Sequence, residues 1–362
     1  MIEVKEVYPL VEKIPGYLSP STFNWVAACP LRGLYANNDN SAYLAGLFPA
    51  ARLGILVHKV YEDFSDKLIN NEEEFLTRWA FHASNGDQFL KYDVDNYGVF
   101  LSNTWQNLQR SIQRRSVPGR VTGQSFKVLT EETLTSGCGR IIGKPDLLIL
   151  KNEKPVEIRD YKTGGIFDAE ANAELDNGSD NVIKKAYQQQ MHLYAWLANS
   201  IYGNYPGKLT LISFDGVPVF VPFTEIDLAV VNQKIDHVFG AFNQPPSTLA
   251  NPSVENCRFC NYRAGCPFKD VSSPATVKDL GGIVKDVRKY PSGNIALTLE
   301  NSDRLLIDRP TTPIDDLGNL VGKLIYVTFA RLFYQDPTKI PVGLTNFYVV
   351  TKSSFILIKN DN

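Results

Sequence analysis

GRIIGKPDLLILK (residues 139–151) and PVEIRDYKTGG (residues 155–165) decide the fold of this chain. Both read as strands, and the short polar link Asn152-Glu153-Lys154 joins them as an antiparallel pair. The pairing carries Gly143-Lys144-Pro145-Asp146 and Asp160-Tyr161-Lys162 on neighbouring strands of one sheet. Side chains alternate along a strand, so Asp160 and Lys162 point to the same face. Two carboxylates converging on one point suit a hard divalent cation. A lysine beside them can orient or activate the water that attacks a phosphodiester. A lone D-x-K is more often a solvated strand end, so the rest of the sequence has to supply the weight.

Working outward, Ser19-Pro20-Ser21 is a helix start, followed by Phe23, Trp25 and Val26. GILVHKVYEDF repeats Leu56, Val60 and Phe64 at four-residue spacing, and Glu72 to Arg115 reads as mostly helical, with Phe100, Leu101, Trp105, Leu108 and Ile112 as one apolar stripe. After Pro118-Gly119 the pattern changes to strands, beginning with VLTEETLT. Asp168 to Asp180 is polar and reads as a mobile loop. KKAYQQQMHLYAWLANSIY is a helix, and KLTLISFDG and PVFVPFTE are two more strands. The expectation is an α/β core with a mixed sheet flanked by helices. Composition shifts again at Ser272-Ser273-Pro274. GGIVKDV, NIALTLE, DRLLID, KLIYVTFARLF and SSFILIK then predict a small C-terminal β-barrel-like domain. The predicted division is residues 1–274 and 275–362, with the second part guiding substrate or docking a partner.

The 362 residues carry a net charge of −2, so any nucleic-acid binding has to come from a local patch. No apolar run reaches the length of a membrane span, and MIEVKEVYPL lacks the layout of a signal peptide, which points to a cytoplasmic protein without a membrane partner. In a reducing compartment the five cysteines are to be read as ligands rather than disulfides. There is no phosphate-binding loop, so the chain is not a motor by itself. It would act on ends or single strands, or rely on a partner such as a helicase.

His58, on the helix before the sheet, can complete a metal's coordination, a role imidazole fills more readily for Mn²⁺ than for Mg²⁺. Gln190 and Tyr194 lie at i and i+4 on one helix face, placed to contact substrate or brace the site. Gly54-x-x-x-His58, Gly143-x-x-Asp146, Asp160-x-Lys162 and Gln190-x-x-x-Tyr194 occur in that order. Together they resemble the motifs of the RecB-like branch of the PD-(D/E)XK nucleases, over roughly residues 18 to 270. The resemblance implies a restriction-endonuclease-like core. It implies Mg²⁺ or Mn²⁺ held by His58, Asp146, Asp160 and the main-chain carbonyl of Tyr161. Lys162 would assist hydrolysis, and Gln190 and Tyr194 would support substrate or site.

Cys257-x2-Cys260-x5-Cys266, with Cys29 far upstream, offers four thiolates for a [4Fe–4S] cluster or one Zn²⁺, and spacing alone leaves both open. The arrangement is similar to that of iron–sulfur RecB-like nucleases: the CRISPR-associated exonucleases that trim new spacers, AddB, and the nuclease domain of the eukaryotic lagging-strand helicase–nuclease. That resemblance implies [4Fe–4S], with Zn²⁺ as the alternative. The metal would close a loop of more than two hundred residues. Cys138 reads as a bystander. Arg110, Arg114, Arg115 and Arg120 form a basic run, and Arg258, Phe259, Tyr262 and Arg263 mix basic and aromatic groups in a way that suits stacking on single-stranded bases. The expected activity is a metal-dependent DNase on single-stranded DNA or DNA ends, an exonuclease before an endonuclease. The contexts it fits are DNA repair, CRISPR adaptation and phage defence. The alternatives are a non-catalytic DNA-binding adaptor of a helicase–nuclease complex and a zinc-stapled structural module.

Overall fold

The computed structural model describes residues 13–37, 49–85, 94–115, 126–168, 182–258, 260, 262–263, 266–269, 277–307, 320–334, 336–350 and 355–358. Ser19 caps helix α1 (Pro20–Ala28): its Oγ accepts from the Thr22 N–H, Thr22 Oγ1 accepts from the Ser19 N–H, and Pro20 opens the first turn. After α2 (Leu31–Ala36) come three longer helices, α3 (Pro49–Ser65), α4 (Glu72–Asn85) and α5 (Val94–Arg115). They share a core of their own, with Leu56, Val60 and Phe64 against Phe75, Trp79, Phe100 and Leu108. Leu101 and Trp105 pack against that core as the apolar stripe predicts, while the Ile112 side chain lies outside the described residues.

The central sheet contains β1 (Phe126–Thr130), β4 (Leu147–Lys151), β5 (Lys154–Tyr161), β6 (Lys208–Ile212) and β7 (Pro218–Phe220), in the order β1-β4-β5-β6-β7. Only the β5–β6 pair is parallel. A parallel pair needs a crossover, and α6 (Lys185–Tyr202) lies between β5 and β6 in the chain, ending at Gly203 with φ +68°. The predicted strand GRIIGKPDLLILK is broken in two. Ile142–Gly143 forms β3 against β2 (Leu134–Thr135), and Lys144-Pro145-Asp146 is a connector before β4. Pro145 has no N–H to give to a ladder, which fixes the break. The hairpin link is also shorter than predicted: Asn152 and Glu153 turn alone, with φ of 50° and 63°, and Lys154 belongs to β5.

One sheet face buries Leu148, Leu150, Ile158, Leu209 and Leu211 in a core with Phe23 and Val26 of α1 and Met191 and Ala195 of α6. Burying each such aliphatic side chain contributes about 2 kcal/mol. A further helix, α7 (Glu225–Ala241), was not predicted, although Thr224 and Asp227 form a capping box and Leu228, Val231, Ile235 and Val238 are buried at helical spacing. The short helices α8 (Pro246–Leu249) and α9 (Val254–Arg258) lead to the clustered cysteines. No described helix is long and apolar enough to cross a membrane.

A separate sheet follows, made of β8 (Val277–Lys289), β9 (Ile295–Leu299), β10 (Asp303–Ile307), β11 (Leu324–Leu332), β12 (Asn346–Val349) and β13 (Phe355–Ile358). Pairing of β12 with β11 closes it on itself around Val284, Leu297, Leu305, Ile325 and Tyr348. The four-residue strand β12 was not among the predicted segments. Ser272-Ser273-Pro274 and almost all of the predicted loop at Asp168 to Asp180 lie outside the described residues.

Candidate active site

Asp146 leaves the Lys144-Pro145 connector just before β4 and ties three elements together. Its Oδ2 accepts from the main-chain N–H of Tyr161 on β5 at 2.5 Å, and its Oδ1 lies 3.1 Å from Nδ1 of His58 on α3. Asp160 on β5 and Lys162, one residue past its end, both face α6 as strand alternation requires, and Gln190 completes a closed set. Lys162 Nζ lies 2.5 Å from Asp160 Oδ2 and donates to Gln190 Oε1 at 2.7 Å, while Gln190 Nε2 donates to Asp160 Oδ1 at 3.2 Å. The Lys162 ammonium sits 4.7 Å from the centre of the Tyr187 ring. Tyr161 points the other way and stacks on Tyr61 of α3, with ring centroids 4.5 Å apart. Tyr194 donates its hydroxyl to the Lys144 carbonyl at 2.9 Å and so fixes the connector that carries Asp146.

Sequence reasoning missed Glu131. It follows β1 with φ +50°, and its N–H donates to the Asp146 carbonyl at 3.3 Å. Ligand atoms of His58, Glu131 and Asp146 all lie within 4.8 Å of one another, so the three form a group able to hold a metal ion. In sequence Glu131 is one of two adjacent acids in a polar stretch, and only the β1–β4 pairing reveals which one turns inward.

The two motif glycines have steric causes. A Cβ on Gly54 would meet Thr163 Oγ1 at 2.8 Å, which lets α3 approach the end of β5. A Cβ on Gly143 would meet Pro20 Cδ at 2.7 Å and Tyr194 Cε1 at 3.0 Å. Glycine is therefore required where α1 and α6 close over the connector.

The electrostatics are those of crowded acids. Burial pushes Asp160 up to about 6, with Asp146 adding to the rise and Lys162 opposing it. Burial, then the neighbouring Asp146, pushes Glu131 up to about 7. Burial also disfavours ionised Asp146, but His58 and the Tyr161 N–H outweigh it and hold this carboxyl below the usual range. His58 is raised in turn, because Asp146 outweighs its own burial. The Asp160 Oδ2 atom is buried and makes no well-directed hydrogen bond, despite the nearby ammonium. Oxygen and imidazole donors with mutually repelling charges, one of them lacking a directed partner, fit a divalent cation.

A second constellation brings the four predicted cysteines to one pocket. Cys29 at the end of α1, together with Cys257, Cys260 and Cys266, lines a cavity with Arg32, Tyr35 and Asn256. Asn251 donates its N–H to Cys29 Sγ at 3.5 Å and its side-chain amide to the Ala28 carbonyl at 2.9 Å, docking the C-terminal segment on α1. Burial pushes the Cys266 thiol up to about 11 and raises Cys260 as well, and the neighbouring thiols add to both. Among the described residues, no three of the four sulfurs lie within 4.8 Å of one another. Cys138 is exposed beside Ser136, away from the four. A neighbouring groove is lined by Trp25, Tyr187 and Glu255, and shares Arg32 and Asn256 with this pocket and Gln190 with the carboxylate site.

The basic and aromatic candidates fare differently. Tyr262 and Arg263 are buried: Tyr262 packs 5.5 Å from the Tyr35 ring, and Arg263 pairs with Asp279 at 2.8 Å. They therefore offer no stacking surface. Arg110 is exposed, whereas Phe259, Arg120 and the side chains of Arg114, Arg115 and Arg258 lie outside the described residues. No curated protein matches the chain in sequence. Residues 17–267, well over half of its length, match the PD-(D/E)XK nuclease superfamily, and their span takes in both constellations. Members of that superfamily use divalent metals, and the His58–Glu131–Asp146 group could hold one: the chain belongs to the PD-(D/E)XK nuclease superfamily.

Proposed function

We propose that this protein is a Mg²⁺- or Mn²⁺-dependent nuclease that cuts single-stranded DNA or resects DNA ends. The observation that carries the reading is the closed Asp160–Lys162–Gln190 set beside the His58–Glu131–Asp146 trio, gathered around the β4–β5 hairpin of a PD-(D/E)XK chain. Asp146 and Asp160 would hold the cation with His58, Glu131 and the main-chain carbonyl of Tyr161. When bound, it supplies Lewis acidity toward the scissile phosphate and lowers the pKa of water. Lys162, steered by Asp160 on one side and Gln190 on the other, orients the attacking water and stabilises charge that develops on the phosphate oxygens. Tyr194 acts at one remove, by fixing the Lys144 carbonyl and hence the approach of Asp146. The groove between the sites gives a single strand its path, with Trp25 and Tyr187 available to bases.

We also infer that Cys29, Cys257, Cys260 and Cys266 hold a [4Fe–4S] cluster rather than zinc. The four thiols line one cavity, and the preference for the cubane over zinc rests on the likeness of the Cys29…Cys257-x2-Cys260-x5-Cys266 arrangement to that of iron–sulfur RecB-like nucleases. With no phosphate-binding loop in the chain, duplex opening falls to a helicase partner, in a cytoplasmic role in DNA repair, CRISPR adaptation or phage defence.

The test is cleavage of an end-labelled single-stranded oligonucleotide in Mn²⁺. Asp160→Asn and Lys162→Ala should each lower the rate by roughly 10³-fold or more. Glu131→Gln should cost about 10- to 100-fold, as for a group that tunes metal affinity. Wild-type rates in Asp160→Asn would rule the assignment out. Iron and sulfide analysis of anaerobically purified protein tests the cluster, and one equivalent of zinc without iron would leave only a structural staple.

A further inference from the structure

The C-terminal barrel lies beyond the residues matched to the nuclease superfamily, and its strand order is specific. β8 pairs with both β9 and β11, β9 pairs with β10, β10 runs parallel to β12, and β12 returns antiparallel to β11. First strand against second and fourth, with third parallel to fifth, is the five-stranded Greek-key barrel of the OB-fold. β13 is an addition along the first half of β11. β8 is 13 residues long and has an irregularity between Val284 and Asp286, the kind of feature that bends one strand around a small barrel. Gly281 and Gly282 admit the close packing of Tyr326 and Leu299, whose atoms would stand 2.9 and 3.3 Å from an added Cβ.

Fold alone assigns no ligand, but the outer face of these strands does. Leu297, Leu299, Leu305 and Tyr348 fill the barrel, so the alternate residues lie on its other face, where Arg288, Arg331 and Phe333 are exposed and Ala296 and Phe347 are covered. The registers set them in two rows. In one, Asp286, Thr298, Arg304 and Phe347 are successive cross-strand neighbours, and Phe333 adds to the end through its N–H to the Phe347 carbonyl at 2.8 Å. In the other, Arg288, Ala296, Leu306, Val349 and Arg331 follow one another. Phe333, Tyr334 and Phe347 have ring centroids 4.7 to 5.7 Å apart, and Phe333 is 51% exposed. Arg288 lies 5.3 Å from the ring of Tyr290, in the turn between β8 and β9. Asp286 is the one acid in the two rows. Among the described residues none of the three arginines is held in an ion pair, and Arg304 has only Thr298 Oγ1, at 3.2 Å.

One exposed ring, Phe333, backed by half-buried Tyr334 and buried Phe347 and set beside uncommitted guanidiniums, matches one class of ligand. Rings stack on bases, which offer a π-face whatever the sequence, and guanidiniums take the phosphates between them. An apolar peptide would leave the three charges without partners, and a neutral sugar would have no need of them. We propose that this face of the barrel binds single-stranded DNA, as a second contact that holds a strand whose end is at the nuclease site. The proposal extends the nuclease reading without depending on it, since binding is measured with no divalent cation present.

The experiment uses the full chain in EDTA and fluorescence anisotropy of a labelled oligo-dT of about twenty nucleotides. Arg331 and Phe333 are exposed, so Arg331→Ala/Phe333→Ala should fold normally and bind roughly 10-fold more weakly or worse. Asp160→Asn should bind like wild type while failing to cut, which separates this face from the catalytic assignment. A wild-type protein that binds through Phe333 but never cuts would sink the nuclease reading and leave this one standing. Photocrosslinking of the same oligonucleotide carrying 5-iodouracil gives a second readout that needs no variant. Crosslinks in peptides spanning Arg288 to Phe347 support the proposal. Unchanged affinity in the double variant, or crosslinks confined to residues 17–267, would overturn it and leave the face to a protein partner.

Discussion

The carboxylate site and the cysteine site lie on one nuclease-matched segment, yet they are assembled on opposite principles. Every catalytic candidate of the first is held by another protein group: Asp146 by Tyr161 and His58, Asp160 by Lys162 and Gln190, and the connector by Tyr194. Its donors sit on β5, at the ends of β1 and β4 and on the helices against them, each already in contact with another protein group, so the cage needs no cation to assemble it. The second gathers one sulfur from the end of α1 and three from a stretch more than two hundred residues later, and Cys29 has only contacts of 3.5 and 3.9 Å to the segment it meets. A metal entering a preformed cage adds chemistry, whereas one that assembles its cage adds folding free energy. On this comparison the two sites should respond to mutation in different currencies, rate for the first and stability for the second.

The largest expected effect is therefore on the fold. Releasing the staple frees a loop whose closure is worth at most about 5 kcal/mol by chain-entropy scaling. Cys260→Ser should give a colourless protein whose thermal midpoint falls by roughly 10 °C. Its residual activity should track the folded fraction. Asp160→Asn should keep its colour and melt within a few degrees of wild type, even though it does not cut. Paired thermal melts and iron analyses check both arms, and a Cys260→Ser protein as stable as wild type would break the comparison.

Gly143→Ala probes the joint between the sites, because the Pro20 that its Cβ would strike begins the helix that ends at Cys29. The clash with Pro20 and Tyr194 should cost about 1–3 kcal/mol. Displacing the Asp146 connector by even a fraction of an ångström should slow cleavage by roughly 10- to 100-fold. Iron content should stay at the wild-type level if the two sites are separable. Loss of iron along with activity would show that α1 transmits strain from one to the other.

How much of this was legible in the chain depends on the range of the signal. Asp160 and Lys162 share a face because strand alternation is local, and the structure places them as that rule requires. Gln190 and Tyr194 follow from helical spacing on the same grounds. Glu131 was not legible, because its entry into the site depends on which residue of β4 lies beside the end of β1. The buried state of Tyr262 and Arg263 was likewise hidden, since their partners Tyr35 and Asp279 come from other parts of the chain. α7 was a different kind of miss: its capping box and apolar spacing were present in the sequence but followed directly on a strand. In the barrel, the strands could be read singly, but the parallel β10–β12 pair that closes it is a matter of topology.

The smallest effect concerns the hairpin that carries the carboxylate site. Asn152 and Glu153 both adopt left-handed backbone, the geometry in which a two-residue turn favours Asn-Gly. Glu153 bears the steric cost of its Cβ there, on the order of 1 kcal/mol. Glu153→Gly removes that cost but adds freedom to the unfolded chain, so the net gain should be about 0.5 kcal/mol. The thermal midpoint should then rise by roughly 1–2 °C. Cleavage should be unchanged, because Leu147↔Arg159 and the other β4–β5 partners near the site already fix the register of Asp160. A lowered midpoint would mean that the turn is held by the Glu153 side chain rather than strained by it. A change in rate at unchanged stability would mean that the carboxylate platform is less rigid than its hydrogen bonds imply.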